Sequence, residues 1–560
     1  MNFLSQNLLL LTIFLPLAFA ALVALLPSGE RGQIRAVALL GMLVDLALGA
    51  GLYLSFDAKG PEFQMEMRAR WLDDLGISFH LGVDGLALSL ILLTVFLGPL
   101  VVLASTYVTD RVKELHLALL VLQTAMMGAL ASLDVIVFYI FWEAMLIPMY
   151  LLIGVWGSEE RQMAAVKFFL YTLAGSLLML VAILAVYFIA QPSGPRSFDY
   201  ATLYNALLSA NKELGACGAP GGCANLSPLA ASLKAYGPLL FFAFALAFAI
   251  KVPMFPVHTW LPDAHVQAPV AGSMILAGVM LKMGTYGFWR YAVPLFPSVA
   301  RSARPLIASL AVVGIVYGAL MCLAQRDVKK LIAYSSVSHL GFCMLGMFAF
   351  TPEAASGSAY QMLNHGVSTG ALFLLFGMLY ERRHTRLISD YGGLAKVMPV
   401  FAAIFLVITF SSVAVPGTNG FVGEFLVLLG TFKSSLPVGY GVLAATGVIL
   451  GAAYMLWLVQ RVFFGQVTHR ENAHLKDLGF REVVTVLPLV AAALWMGLYP
   501  QPFLERLQTP TERLVARVNV GVPGVQQEDD AVRFDVVPLP PLTPETEQPK
   551  PAGPTVSANP

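Results

Sequence analysis

The chain has 560 residues, of which 58% are hydrophobic and 12% are charged, and its formal net charge is +1. A soluble protein of this length needs about twice that share of charged residues to cover its surface. Apolar stretches of roughly twenty residues, the length that crosses a bilayer, recur along nearly the whole chain. We therefore predict an all-α, polytopic membrane protein. The near-zero charge gives no reason to expect a nucleic acid as partner.

The apolar stretches predict about fourteen transmembrane helices. Their approximate ranges are 8–27, 35–55, 84–105, 115–131, 133–156, 168–190, 236–257, 269–293, 304–324, 329–350, 355–380, 397–436, 440–464 and 482–503. The first stretch lacks a basic leading region and is too long for a signal peptide, so we predict a retained helix. Basic residues such as Arg111, Lys113, Lys329 and Lys330 gather in alternate loops. The positive-inside rule makes those loops cytoplasmic and places both termini outside.

Three segments between or after the spans have their own patterns. Residues 63–81 alternate apolar and polar side chains, which predicts a short hairpin on the outer surface. Cys217 and Cys223 flank a glycine-rich loop and could form a disulfide if that loop faces an oxidising compartment. Residues 504–560 are rich in proline and acidic residues and predict an extended or disordered tail without a core of its own.

Prolines are expected to break two spans: Pro253 and Pro256 the seventh, and Pro416 the twelfth. Proline removes a backbone donor, so the carbonyls of Ala249, Val252 and Ser412 are expected to lose their helical partners. Broken spans five apart in the count predict two inverted five-helix repeats, and paired broken helices indicate a transport site. The resulting division is N-terminal helices at 1–110, repeats at 111–295 and 300–465, a last span at 466–503 and a tail at 504–560.

Ionisable residues deep in the predicted spans are few, and a charge facing lipid there costs several kcal/mol. A structural ion pair of Glu143 with a lysine is one explanation. A buried pair contributes little net stability, however, so several such residues beside two helix breaks favour a proton relay. Histidine suits a relay because it both accepts and donates protons near neutral pH. The candidate relay residues are Glu143, Lys251, Lys282, His339, His365 and Glu424.

Other chemistry is disfavoured. His339 and His365 could ligate haem, but a pair of haems would need two histidines on each helix. His258, Asp263 and His265 lack a further metal ligand and are expected to line a polar mouth on the cytoplasmic side. No nucleotide loop, catalytic triad, zinc motif or cysteine pair for a cluster is present, so we expect no cofactor, no metal, no direct NADH binding and no catalysis by the isolated chain.

Several motifs resemble the antiporter-like subunits of respiratory complex I. They are FWEAMLIPMY at 141–150, KVPMFPVHTWLPDAH at 251–265, LIAYSSVSHLG at 331–341, NHGV at 364–367 and PGTNGFVGE at 416–424. The resemblance covers roughly residues 80–500. Position 424 is glutamate in the M-type branch of this family and lysine in the L- and N-type branches and in the main antiporter subunits. Glu424 therefore favours the M type, although the tail is longer than that type leads us to expect.

The resemblance implies roles for the candidate residues. Glu143 and Lys251 correspond to the ion pair of an input half-channel, Lys282 to a connecting lysine, His339 and His365 to bridging histidines, and Glu424 to the outlet. It also implies L- and N-type chains as partners in a bacterial inner membrane, with NADH oxidation and quinone reduction elsewhere in the complex. The alternatives are a subunit of a multi-subunit cation/proton antiporter, and a scaffold whose charges only pack helices.

Overall fold

The computed structural model describes residues 7–191, 196–217, 226–523 and 532–539. A two-stranded hairpin is formed by β1 (Gln64–Leu72) and β2 (Ile77–Val83). The helix α11 covers residues 270–295 and alternates α-helical turns (Val270–Ile275, Leu281–Gly287, Val293–Leu295) with π-helical turns (Leu276–Met280, Phe288–Ala292). The other helices are α1 (Leu8–Leu25), α2 (Arg31–Ser55), α3 (Gly85–Ala104), α4 (Val112–Ala131), α5 (Val135–Ala144), α6 (Leu146–Trp156), α7 (Arg161–Ala190), α8 (Tyr200–Ala216), α9 (Pro228–Lys251), α10 (Trp260–Gln267), α12 (Pro297–Ala324), α13 (Val328–Phe348), α14 (Pro352–Arg383), α15 (Pro399–Ser412), α16 (Asn419–Lys433), α17 (Val438–Phe463), α18 (Phe480–Leu498) and α19 (Gln501–Val518).

Short polar side chains set where several helices begin. Asp84, Asp134, Asp327 and Thr351 precede α3, α5, α13 and α14, and each side chain accepts a hydrogen bond from a backbone N–H of the first turn. Such caps satisfy donors that have no partner within the helix. The apolar runs therefore become helices whose ends are fixed by the residue that precedes them.

The prediction of a polytopic all-α membrane protein is confirmed. Twelve helices among the described residues are long and apolar enough to cross a bilayer, with α5 and α6 counted together as one span. Residues 270–295 and 399–433 fall outside that number, because π-helical turns divide the first and a break divides the second. The figure of fourteen spans and the inverted repeats both stay predictions.

The two proline-bearing regions are broken where the sequence indicates. Helix α9 ends at Lys251 and the chain re-enters a helix at Trp260, while α15 ends at Ser412 and α16 begins at Asn419. Position 253 is proline, so the Ala249 carbonyl lacks its usual helical donor as expected, and it accepts instead from the N–H of Met254 at 2.8 Å. The Trp260 indole N–H similarly donates to the Ile250 carbonyl at 2.8 Å. The break is thus stabilised by new donors.

The interior of the protein is centred on α13 and α14, which are buried over nearly their whole length. In helices α1, α2, α7, α17 and α18, by contrast, only 33–39% of the membrane-length stretch is buried. In a membrane, such faces are available to lipid or to neighbouring subunits. The two broken regions and α11 pack around the central helices.

The predicted hairpin at residues 63–81 is present as β1 and β2, which pair antiparallel. His80 on β2 is buried, with Nδ1 2.7 Å from Asp199 Oδ1 and Nε2 3.1 Å from Glu66 Oε2. Burial would lower the pKa of His80, but these two carboxylates outweigh it and raise the pKa. The hairpin is therefore joined by charge to the start of α8, which Asp199 caps.

The predicted extended tail is wrong for residues 504–518, which belong to α19. Burial of Leu507, Leu514 and Val518 shows the helical spacing of an amphipathic helix. Arg517 of this helix donates to both carboxylate oxygens of Glu62, at 2.8 and 2.6 Å. Phe534 packs its ring under the Arg517 guanidinium, 3.7 Å from it. Residues 524–531 and 540–560 of the tail lie outside the described residues.

Two of the four cysteines, Cys322 and Cys343, are buried free thiols. Cys217, at the end of α8, is disulfide-bonded. Its predicted partner, Cys223, lies outside the described residues.

Candidate functional site

The helices bring the predicted relay residues into the interior. Lys251, Lys282, His339, His365 and Glu424 are each less than one-tenth exposed, and Glu143 is half-buried. They come from the end of α5, the end of α9, the middle of α11, α13, α14 and the start of α16. A charge so placed must be compensated by protein groups or water, because the surrounding helices are apolar.

Four of these residues form a chain of polar contacts. The Lys282 ammonium lies 2.6 Å from His365 Nδ1 and also donates to the Ala277 carbonyl. The rings of His365 and His339 are 5.9 Å apart between centroids. His339 Nδ1 lies 3.1 Å from Glu424 Oε1. The chain therefore runs from α11 through α14 and α13 to α16, with its longest step between the two histidines.

The step between the histidines lies beside a small polar cavity. It encloses about 10 Å³, close to the space that one water needs. Its polar lining includes His339, His365, Asn364, Ser368, Thr369 and Ser412. The Ser412 hydroxyl, at the end of the broken helix α15, lies 3.5 Å from His339 Nε2. The helix break therefore contributes polar groups to the gap between the two rings.

Glu424 is oriented by an amide pair on α14. Gln361 Nε2 donates to Glu424 Oε1 at 3.1 Å, and Asn364 Nδ2 donates to Gln361 Oε1 at 2.9 Å. A methyl group at Gly423 would meet Gln361 Oε1 at 2.5 Å and Asn364 Nδ2 at 2.6 Å. A glycine before Glu424 is thus required for the amide pair to approach the carboxylate.

The helix that carries Lys282 is distorted on both sides of it. π-Helical turns at Leu276–Met280 and Phe288–Ala292 flank the lysine, and such turns are frequent at functional sites. The Ala277 carbonyl that accepts from the Lys282 ammonium lies in the first of these turns. Prolines do not mark these distortions, so the sequence pattern could not reveal them.

Lys251 is buried without a hydrogen-bond partner for its ammonium group. Its Nζ lies 5.2 Å from the centroid of the Trp142 ring and 5.7 Å from that of Phe168, both within cation–π range. Glu143 follows Trp142 in the chain, and its Oε1 is enclosed without a partner. The structure thus brings Glu143 and Lys251 to the same region, but the expected direct ion pair between these two described residues is not formed.

The residues expected to line a polar mouth behave differently from one another. Asp263 accepts from the Lys167 ammonium at 2.6 Å. His265 stacks on Phe373 with 4.5 Å between ring centroids, and His258 packs against Phe255 and Tyr317. Neither histidine has a hydrogen-bond partner at its ring nitrogens. The expected polar lining is therefore wrong for the two histidines. Among the described residues, no group of three or more His, Cys, Asp or Glu side chains could hold a metal ion.

Several buried charges were not among the sequence candidates. The ammonium group of Lys329, at the start of α13, donates at 2.5 Å to the carbonyl of Ala268, which directly follows α10. Arg290 on α11 pairs with Asp84, with 2.5 Å between the charged atoms. Asp45 is fully buried in α2. Asp45 and Arg290 lie within predicted spans, so a search for any charge inside an apolar run would have found both.

Comparisons with known proteins agree with this arrangement. Residues 132–450 match the family described as NADH:quinone oxidoreductase/Mrp antiporter, TM. The NADH-quinone oxidoreductase subunit M of Rhodobacter capsulatus is 45% identical over 518 residues, covering 91% of this chain and 96% of that protein. The NADH-ubiquinone oxidoreductase chain 4 of Marchantia polymorpha is 40% identical over 505 residues, covering 90% and 96%.

Solved structures show the same fold. A chain of respiratory complex I from Thermus thermophilus with bound NADH superposes with a TM-score of 0.79 at 35% identity, covering 91% of this chain and 99% of that one. A chain of the Mrp complex from Dietzia sp. DQ12-45-1b shares the fold alone, with a TM-score of 0.76 at 20% identity and 93% and 100% coverage. The chain therefore belongs to the NADH:quinone oxidoreductase/Mrp antiporter family and, within it, to the M-type antiporter-like subunits of complex I.

Proposed function

We propose that this chain is a proton-translocating membrane subunit of an NADH-quinone oxidoreductase and that its protons pass through Lys251, Lys282, His365, His339 and Glu424. The observation that carries the proposal is the chain of contacts from Lys282 through the two histidines to Glu424. Every member is a group that can both take up and release a proton. NADH oxidation and quinone reduction belong to other subunits. The chain contributes to the enzyme complex as a membrane subunit that does no redox chemistry itself.

The energetics support transport over a purely structural role. A lysine at the centre of a membrane helix costs about 2.5–3.5 kcal/mol or more. An ion pair would offset part of that cost, yet no described carboxylate lies within salt-bridge distance of Lys251 or Lys282. A scaffold gains nothing from such lysines. A relay needs them, because an ammonium in an apolar site releases its proton more readily than one in water.

The first half of the path, between Glu143 and Lys251, requires a change in side-chain position. Glu143 and Lys251 lie near each other without direct contact, and Trp142 and Phe168 occupy the space beside the ammonium. A carboxylate that approaches Lys251 would favour the protonated lysine, and one that withdraws would favour release. We infer that changes in the position of the half-buried Glu143 alternately load and unload Lys251.

The second half of the path is already assembled. A proton leaving Lys282 enters the His365 ring at Nδ1, and the small cavity beside His339 provides room for a water to carry it on. Glu424, held by Gln361, accepts it from His339. We propose that Glu424 delivers protons to the outer side of a bacterial inner membrane. The basic loops then face the cytoplasm and both termini lie outside.

A cation/proton antiporter subunit is the second candidate. The fold similarity to the Mrp complex is compatible with it, because the two kinds of subunit share their helical core. The 45% identity to an M-type chain and the glutamate at position 424 favour the redox-linked complex. Proton movement that depends on NADH and quinone, and is insensitive to sodium, would exclude the antiporter.

Substitution of Lys282 tests the relay against the scaffold. Lys282→Met removes the proton-binding group, and Lys282→Arg keeps a buried positive charge that does not release its proton. A relay predicts loss of proton pumping in both variants when the whole complex is reconstituted in vesicles and assembles normally. A structural charge predicts that Lys282→Arg pumps at the wild-type proton-to-electron ratio, and that result would refute the proposal.

A further inference from the structure

Asp45 is a fully buried carboxyl group that plays no part in the relay. It lies in the middle of α2, with fourteen helical residues before it and ten after it. At 1.5 Å per residue, it is about 15 Å or more from either end of the helix. Helices α1, α3 and α4 pack against α2. The carboxyl group is thus deep within the apolar N-terminal helices.

The hydrogen bonding around Asp45 is incomplete in a specific way. Gln123 Nε2 on α4 donates to Asp45 Oδ2 at 2.5 Å. The other oxygen of each group, Asp45 Oδ1 and Gln123 Oε1, is enclosed and has no partner. Both atoms are acceptors if Asp45 is ionised. A single proton on Oδ1, donated to Oε1, gives each of them a partner and closes a reciprocal ring between the carboxylic acid and the amide.

No counter-charge is available nearby. Helix α3 and the described part of α1 contain no Asp, Glu, Lys, Arg or His. The titratable residues of α4 are Lys113, Glu114 and His116, at least seven residues before Gln123. Those of α2 are Arg31 and Arg35, at least ten before Asp45, and Tyr53, eight after it. These separations correspond to about 10–15 Å along the helices. An ionised carboxylate with one neutral donor in this setting would be costly.

The neighbouring helices are shaped around the pair. A methyl group at Gly98 on α3 would meet Gln123 Oε1 at 2.6 Å and Met42 Sδ at 2.9 Å. Only glycine leaves room for the amide at this position. A methyl group at Gly278 on α11, the helix of Lys282, would meet the side chain of Leu97, the residue before Gly98. Helix α3 therefore stands between Asp45 and the relay.

We propose that Asp45 binds a proton and is a neutral carboxylic acid in the resting protein, paired reciprocally with Gln123. It forms a proton-binding site in the N-terminal helices, apart from the relay that the proposed function uses. The ligand is the proton itself, and Gln123 is the residue that positions it.

Infrared difference spectroscopy on the purified whole complex tests this proposal. Asp45→Asn keeps the size of the side chain and can still pair with the Gln123 amide. At neutral pH we expect Asp45→Asn to remove a protonated-carboxyl carbonyl band that shifts in deuterated water. Asp57→Asn, in an exposed loop, is the matched control and should remove only carboxylate bands. Removal of carboxylate bands by Asp45→Asn as well would overturn the proposal.

A second variant keeps the test decisive if Asp45→Asn does not assemble. Gln123→Leu removes the amide and leaves Asp45 in place. The proposal predicts that the protonated-carboxyl band then persists at a shifted frequency, because its hydrogen-bond partner is gone. No change in that band for Gln123→Leu would refute the pairing. Neither result depends on whether the relay carries protons, so this site and the proposed function stand or fall separately.

Discussion

The contact between Lys282 and His365 makes a sharp prediction for His365→Asn. The asparagine amide can still accept a hydrogen bond from the Lys282 ammonium, which now lies 2.6 Å from His365 Nδ1. It cannot take up a proton near neutral pH. The substitution therefore separates hydrogen bonding from proton transfer at one position of the relay.

The expected size of the effect follows from the geometry. Among the described residues, His365 is the titratable group that the Lys282 ammonium contacts, and the centroids of the His365 and His339 rings are 5.9 Å apart. Loss of His365 therefore leaves Lys282 with no partner that can carry its proton. Removal of a positioned acid–base group lowers rates about 10²–10⁴-fold, which corresponds to about 3–5 kcal/mol of barrier. Proton uptake in vesicles, driven by NADH and quinone in the reconstituted complex, measures this loss.

The matched control is His384→Asn on the same helix. His384 ends α14 in the left-handed region, with φ 51°, a conformation that asparagine tolerates well. It lies outside the relay, so this variant should pump normally. If His365→Asn assembles normally and pumps at the wild-type rate and proton-to-electron ratio, the relay through His365 is wrong.

Three further predictions follow from other contacts. Lys251→Met should abolish proton pumping and stabilise the complex against thermal unfolding by about 1 kcal/mol or more, because it removes a buried charge that has no hydrogen-bond partner. A variant that is less stable and still pumps would contradict this prediction. Gly423→Ala should displace Gln361 from Glu424, reduce proton pumping and destabilise the protein by about 1–3 kcal/mol. Unchanged pumping would show that the Gln361 amide is not needed. The pKa of His80 is raised in the folded protein, so its bond to Asp199 stabilises the fold fully below about pH 6.5, and this contribution is lost as pH rises through the folded pKa. His80→Gln should therefore flatten that part of the profile of melting temperature against pH. An unchanged profile would contradict the assignment.

The candidate relay residues and the helix breaks were predictable because both conflict with an apolar span. A charge such as Lys282 or Glu424 is conspicuous in a hydrophobic run, and a proline such as Pro256 or Pro416 removes a backbone donor from the span that contains it. These signals are local. They identify residues without showing which of them touch, so the order Lys282, His365, His339, Glu424 required the packing of four helices.

What could not be predicted depends on tertiary contacts or was hidden by composition. The direct ion pair expected between Glu143 and Lys251 is absent from this structure, because the Lys251 ammonium lies among aromatic rings instead. Helix α19 was missed because its polar composition and Pro510 conceal a stripe of buried residues at helical spacing. The partner of Asp45 could not be inferred either, since nothing in the sequence indicates that Gln123 faces it.

The central claim is that water and titratable side chains connect Lys251 to Glu424 within the membrane. A high-resolution cryo-electron microscopy map of the intact complex tests it most directly. We predict ordered water between Lys251 and Lys282 and at least one water in the cavity between His365 and His339. Dry apolar packing across either gap, in every conformation resolved, would contradict the account.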